Sequence, residues 1–288
     1  MTDLVAKFAL RSDLHQSPMH ANLMEEIGWH VTGPNDSHLF YRTLGPLTIA
    51  KLQRPQSIDL DWLKDFRKKH HALTTYIEPG LVTPPPSSKL GFSVEPFAHS
   101  CTSLIDIKGS EQSILNSFSQ KTRYNITRTL RKNNLKIITT SLSTMSHEQL
   151  TAFYALHDAW ARKRSVVGYP ISLLNAVIKA HGKTGDLHFC YRGNELVGSL
   201  LILYYEGVAT YYAAFATDSG YHTFAPTLLT WTAIQQAKAE GCDIFDFGGI
   251  YDPRYPRMYK KWQGFTKFKS TFHPTVVSYP PTTLQLGW

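Results

Sequence analysis

The chain has 288 residues, 42% of them apolar and 12% aromatic, a composition that can bury a large core and excludes intrinsic disorder. Its 30 Lys and Arg against 22 Asp and Glu leave a net charge of +8, which favours polyanionic partners such as RNA, nucleotide diphosphates or an anionic membrane face. Three widely spaced cysteines, Cys101, Cys190 and Cys242, form no C-x-x-C pair, which argues against a disulfide framework or a thiolate zinc site and fits a reducing compartment.

Strands are predicted at 39–43 and 46–53, joined at Gly45-Pro46, and a helix at 59–70 with Leu60, Leu63 and Phe66 at helical spacing. Thr74 to Ile77 reads as a strand, and 80–91, with Pro84-Pro85-Pro86-Ser87-Ser88, as a loop. A strand from Cys101 to Ile107 leads to Ser110, an N-cap for a helix carrying Ile114, Leu115 and Phe118. A second helical stretch, 121–133, stops at Asn133-Asn134, and a short strand spans Lys136 to Thr140. Ser146 and Gln149 make a capping-box signature for a helix with Leu150, Phe153, Leu156 and Trp160 on one side. Ile171 to Ala180 is a further helix.

Three antiparallel strands are expected at 187–191, 195–205 and 208–216, then a helix over 226–240 with Pro in its first turn and Gly241 past its end. Asp243 to Phe247 is a strand broken by Gly248-Gly249, and strand character returns at Lys267 to Phe272 and Thr275 to Ser278. The pattern predicts two related α+β halves of mixed, largely antiparallel sheets flanked by helices. A shortened first domain covers 1–108 and a second 109–288. The longest apolar run, near Leu200 to Tyr205, is too short to span a bilayer, and the first residues lack a signal peptide's apolar region. A soluble, cytoplasmic protein is expected, with contact at the inner membrane face left open.

The basic residues are clustered. Between Gln120 and Lys136 stand Lys121, Arg123, Arg128, Arg131, Lys132 and Lys136 with no acidic residue. After Asp252 there is no Asp or Glu, yet Arg254, Arg257, Lys260, Lys261, Lys267 and Lys269 all follow.

QKTRYNITRTLRKN at 120–133, LTWTAIQQAKAEG at 229–241, DIFDFGGIYDP at 243–253 and GFTKFKSTFHP at 264–274 occur in this order. Together they resemble the FemA/FemB/FemX family of peptidoglycan-bridge aminoacyltransferases. The strand pair 197–216 is similar to the family's V-A-G-x-L-L-x-Y and A-x-Y-Y strands, Ile77-Glu78-Pro79 to its I-E-P, and Leu52-Gln53-Arg54-Pro55 loosely to a segment that more often reads R-G-P. The resemblance covers about 38–280. It implies two N-acetyltransferase-like (GNAT-like) domains in tandem, with DFGG and FKxxF in the second. The activity implied is amide formation between an aminoacyl group on tRNA and the peptide amine of a UDP- or lipid-linked muropeptide precursor, the reaction that builds cell-wall interpeptide bridges. No metal or organic cofactor is implied. The chain departs from the family where His273 replaces the glycine after FKxxF, where the N-terminal tryptophan segment reads Glu26-Ile27-Gly28-Trp29, and in lacking a long helical hairpin.

Ester aminolysis needs a positioned, unprotonated amine and a stabilised oxyanion, and no covalent nucleophile. The sequence accordingly has no G-x-S-x-G and no H-E-x-x-H. By resemblance Lys269 is the motif lysine, a cation for the developing negative charge; its other reading is a surface lysine on an alternating strand. Asp246, at a strand end, either accepts the amine's proton or caps the following turn. Gly248 and Gly249 admit a ligand closely or simply make the turn. Phe268, Arg164, Tyr169 and Tyr212 are candidate substrate contacts, and because Tyr211 and Tyr212 alternate faces only one of them is expected to reach a cleft. Lys121, Arg123, Arg128 and Arg131 are candidate tRNA or phosphate contacts; Lys121 and Arg128, seven apart, share a helix face, and the alternative is a solvated basic helix.

Two other functions fit parts of the pattern. An acyl-CoA-dependent N-acyltransferase would place a glycine-rich pyrophosphate loop where Tyr221 to Pro226 stand, and Pro226 removes a donor there. A non-catalytic RNA-binding protein would use the basic stretches alone, without an RNP-type or KH-type motif.

Overall fold

The computed structural model describes residues 2–34, 37–83, 92–132 and 134–287. The expected Pro-rich loop at 84–88 and the helix stop at Asn133 lie outside them. In chain order the elements are α1 (Asp3–Ala9), α2 (Pro18–Glu26), β1 (His30–Thr32), β2 (Leu39–Leu44), β3 (Leu47–Gln53), α3 (Leu60–Lys69), β4 (Ala72–Glu78), β5 (Phe92–Val94) and β6 (Cys101–Asp106). Then come α4 (Glu111–Ser117), α5 (Gln120–Lys132), β7 (Leu135–Ser141), α6 (His147–Arg164), α7 (Ile171–Ala180), β8 (Gly185–Arg192), β9 (Glu195–Tyr205) and β10 (Val208–Ala216). The chain continues with α8 (Asp218–His222), α9 (Ala225–Ala239), β11 (Ile244–Asp246), α10 (Pro256–Tyr259), α11 (Gln263–Ser270), β12 (Thr275–Ser278) and β13 (Thr282–Leu286).

Two compact units result, each discontinuous: Met1–Thr102 with Gly249–Gln263 and Val276–Trp288, and Ser103–Gly248 with Gly264–Thr275. A single boundary near 108, as the sequence predicts, places 249–263 and 276–288 in the second domain; by contacts they group with the first unit. For 276–288 a strand at the chain's end supplies the reason, since β13 is inserted between β4 and β5.

The first unit's sheet runs β1-β2-β3-β4-β13-β5. All its pairings are antiparallel except β3 with β4, which α3 connects as a crossover. Asp59 caps α3 by accepting from the Trp62 N–H, and Leu63 and Phe66 bury its apolar face against Leu39, Leu52 and Ile77. The other sheet, of seven strands, has the order β12-β6-β11-β10-β9-β8-β7 and repeats the scheme. Here β10 and β11 are the parallel pair, with α9 as the crossover. Leu229, Ala233, Ile234 and Ala237 of α9 pack on Val197, Leu200, Ile202, Phe245 and Phe247. Pro226 opens α9, while Ser110 and the Ser146–Gln149 capping box start α4 and α6.

One expected element is corrected: Lys267 to Phe272 is not a strand. It lies in α11 and the turn that ends it, with the Thr271, Phe272 and His273 N–H groups donating to the carbonyls of Phe268, Lys269 and Ser270. Lys and Phe alternate at 267–269, but Phe265, Phe268 and Phe272 recur at i, i+3 and i+7, which is the helical period.

Candidate functional site

The parallel strands β10 and β11 and the crossover helix between them create the site's scaffold in the second unit. β10 pairs with β11 only from Val208↔Ile244 to Thr210↔Asp246, while β10 itself runs on to Ala216. Just beyond that limit β10 carries a bulge between Tyr211 and Ala213, so Tyr212 is the extra residue against β9. On β11 the chain stops at Asp246, whose Oδ1 accepts from the Gly248 N–H at 2.7 Å. Gly248 has φ +67, and a Cβ there would lie 2.9 Å from the Tyr211 carbonyl oxygen, so both the turn and the close approach require glycine. The carboxylate of Asp246 therefore does brace the turn, whatever else it does.

Lys269 faces this place from α11 and is only 6% exposed. Its Nζ lies 5.3 Å from the centroid of Tyr211 and 5.2 Å from that of Phe265. Burial pulls its pKa down to about 8, against the upward pull of the Asp246 carboxylate. The Tyr211 phenol, hydrogen-bonded to Thr230, is pushed upward by burial and by Tyr221. Tyr211 is thus the partner of the buried ammonium, and Tyr212 is not.

Tyr212 instead stacks on Tyr169, centroids 6.3 Å apart at 24°. Tyr169 is held by His157, a buried residue whose Nδ1 lies 2.9 Å from Asp158 Oδ1 and whose Nε2 accepts the Tyr169 N–H at 3.0 Å. Arg164 places its guanidinium 4.8 Å from the Tyr221 ring centroid, and Tyr221 acts electrostatically on Tyr211. Lys269, Asp246, Gly248 and Tyr211 are therefore gathered at one place, with Tyr221 and Arg164 linked to it. Phe268 packs edge-on against Phe272 at 5.4 Å, within an aromatic group that includes Phe118 and Phe247. Gly249 belongs to the first unit, where a Cβ would lie 2.8 Å from the His99 Cβ and would also meet the Trp262 ring; close packing explains this glycine.

The cations of α5 divide. Lys121, Arg128 and Arg131 are exposed, with Arg128 5.7 Å from the Phe224 ring centroid. Arg123 is half-buried and donates from Nη1 to the carbonyls of Asn116 and Phe118, closing the end of α4. Sequence reasoning missed His157, although a histidine on the inner face of an amphipathic helix marks it as a buried group needing partners. Cys190, buried, has its thiol pushed up to about 12 by desolvation, which does not suit a nucleophile. Among the described residues no group of three or more His, Cys, Asp or Glu has metal-holding geometry.

Residues 120–261 match the family described as an acetyltransferase (GNAT) domain. The solved structure of FemX superposes with a TM-score of 0.77 over 99% of this chain and 96% of that one, at 13% identity. The C-terminal domain of a putative lysylphosphatidylglycerol synthetase from Agrobacterium fabrum gives 0.61 over 98% and 92%, at 15% identity. A tandem GNAT protein from the clavulanic acid biosynthesis pathway gives 0.52 over 87% and 78%, at 8% identity. No curated protein matches in sequence. Fold and domain match agree: the chain has two GNAT-like folds in tandem, and residues 120–261 match an acetyltransferase domain. Within that class of folds its own is that of FemX, in agreement with the Fem-type motifs in its sequence.

Proposed function

We propose that the chain is an aminoacyltransferase that moves an amino acid from aminoacyl-tRNA to the peptide amine of a UDP- or lipid-linked peptidoglycan precursor, at the cytoplasmic step of interpeptide-bridge formation. The observation that carries this reading is Lys269. A lysine buried to 6% exposure between Tyr211 and Phe265, beside Asp246, is costly to the fold and suits a group that meets developing charge. The FemX-like fold supports it independently.

In this mechanism the acceptor amine attacks the ester carbonyl, and the Lys269 ammonium stabilises the oxyanion. The C–N bond forms, the ester C–O bond breaks, and the ribose oxygen leaves as a hydroxyl after taking a proton from Lys269. The amine's proton passes to Asp246, directly or through water, and from there restores Lys269. The Gly248 N–H holds Asp246 in place. Tyr169 and Tyr212 present stacked rings and Arg164 a cation to the muropeptide, with Phe268 supporting α11 from behind. Lys121, Arg128 and Arg131 meet tRNA phosphates, while Arg123 serves the α4–α5 junction.

The test is transfer of radiolabel from a mixed pool of charged tRNA to UDP- and lipid-linked muropeptides, with acetyl-CoA run in parallel. Label moving from tRNA is expected, and fractionating the pool names the amino acid. Label from acetyl-CoA alone would replace this reading with a CoA-dependent acyltransferase.

A further inference from the structure

The turn between α6 and α7 carries at its tip a residue that the proposed reaction does not use, Val167, flanked by Arg164 and Tyr169, which it does. Its sequence is Arg162-Lys163-Arg164-Ser165-Val166-Val167-Gly168-Tyr169-Pro170-Ile171. Val167 is fully exposed, and Tyr169 and Ile171 are 41% and 42% exposed. A single exposed apolar side chain needs no explanation, but three at alternate positions of one turn make a patch.

The turn is built rather than loose. Ser165 adopts a left-handed conformation, φ +49, and donates its N–H to the Arg162 carbonyl, while the Val166 N–H donates to Ala161. Behind the tip, His157 Nε2 accepts the Tyr169 N–H, and a Cβ at Gly168 would lie 2.6 Å from that nitrogen. Gly168 is thus seated against the His157 ring, and the seat turns the Val167 side chain outward.

The charge beside the tip is cationic. Arg162, Lys163 and Arg164 form the last turn of α6 and are exposed. Lys163 pairs with Asp218, Arg164 lies over Tyr221, and Arg192 donates to Ser219 at the same end. Acidic groups near them are Asp218, Asp158, turned toward His157, and Glu195, the register partner of Arg192. Four cations against three carboxylates, around an apolar tip, match a surface that is negative outside and apolar just beneath.

We propose that this turn is a contact surface for an anionic lipid bilayer, with Val167 entering the headgroup–acyl boundary and Arg162 and Lys163 of α6 on lipid phosphates. Combined with the proposed reaction, and resting on it for this one consequence, the contact favours a lipid-linked acceptor over a soluble one. The contact itself is measured without substrate, so its failure and that of the reaction are separate results.

The experiment is co-sedimentation of the full chain with phosphatidylcholine vesicles with and without phosphatidylglycerol. Binding to the anionic vesicles is expected, weakened about tenfold or more by Val167→Asp and about fivefold by Arg162→Gln. Because the Val167 side chain touches solvent only, Val167→Asp is expected to keep the wild-type melting temperature. A Val167→Cys variant, labelled with an environment-sensitive fluorophore while Cys101, Cys190 and Cys242 stay buried, should shift its emission to the blue with anionic vesicles. Absence of vesicle binding, equal binding to neutral vesicles, or binding untouched by Val167→Asp would each overturn the proposal. So would a label at position 167 that responds to RNA and not to vesicles.

Discussion

Replacing Lys269 by Met separates a catalytic cation from a structural one, because the two roles predict opposite changes in stability. Its pKa falls from 10.5 to about 8 on folding, chiefly by burial. Holding the charged form in the folded state at pH 7 then costs about 3 kcal/mol. Lys269→Met keeps the side chain's length and removes that cost, so stability should rise by up to about 3 kcal/mol, less whatever Asp246 loses with its neighbour. Over the same substitution the transfer rate should fall by about 100-fold or more, the usual effect of deleting an oxyanion donor. A linkage signature accompanies this. Below pH about 8 the penalty is fully present; between about 8 and 10.5 the unfolded chain binds more protons than the folded one, so wild-type stability rises with pH. The Met variant should lack that rise. Wild-type activity, needing the ammonium, should decline as pH climbs through about 8. Urea titrations across this pH range, with single-turnover transfer from charged tRNA, measure both. Near-wild-type turnover in the Met variant would refute the mechanism, and lost activity accompanied by lost stability would make Lys269 structural.

Since the Asp246 carboxylate raises the Lys269 pKa, Asp246→Asn should move the alkaline limb of the pH–rate profile to lower pH while Asn still accepts the Gly248 N–H; an unmoved limb would disconnect the pair. Exchanging Lys121, Arg128 or Arg131 for Gln should each reduce the salt slope of RNA binding by about 0.7–0.9, read from binding isotherms. Arg123→Gln should instead lower stability by about 1–3 kcal/mol with the slope unchanged, because it leaves the Asn116 and Phe118 carbonyls without their donor. Gly168→Ala drives a methyl onto His157 and should release the Tyr169 N–H, raising KM for the muropeptide more than it lowers kcat; equal effects on both would argue that Tyr169 does not meet the acceptor.

Where periodicity and caps agreed, the fold was legible: α7, β9 and β10 occupy the expected residues, and Ser110 and Ser146 cap the helices they were assigned. The discontinuous units were not, because nothing local in Thr282–Leu286 says that it will insert beside β4, more than two hundred residues away. Two departures from Fem-type motifs become intelligible in the backbone. His273, standing for the expected glycine, has φ +52 at the end of α11, and its ring lies 2.9 Å from the Ser117 carbonyl oxygen. Arg54, in the segment that more often reads R-G-P, also has φ +52; its guanidinium is buried on Asp13 and 3.7 Å over Tyr279. A left-handed non-glycine residue costs about 1–2 kcal/mol, which these contacts offset, so the conformation survives where the glycine does not.

The misread segment and the candidate catalytic residue are the same stretch of chain, and the coincidence has a physical cause. On a strand, Lys267 and Lys269 would both face solvent and neither would need explaining. On a helix, Lys269 shares its face with Phe265, four residues earlier, and stands next to Phe268 on the side that packs against Phe272. A sequence rule that sends lysine outward assigns such a residue to the wrong element, because it assumes that stability alone places side chains. The amphipathic pattern of α11 is broken at one position, Lys269, and that position meets the β10 bulge and the end of β11, where Tyr211 and Asp246 receive it. Local rules fail here because Lys269 is buried at a cost to the fold; the proposed reading, that its charge is used, predicts that Lys269→Met recovers this cost.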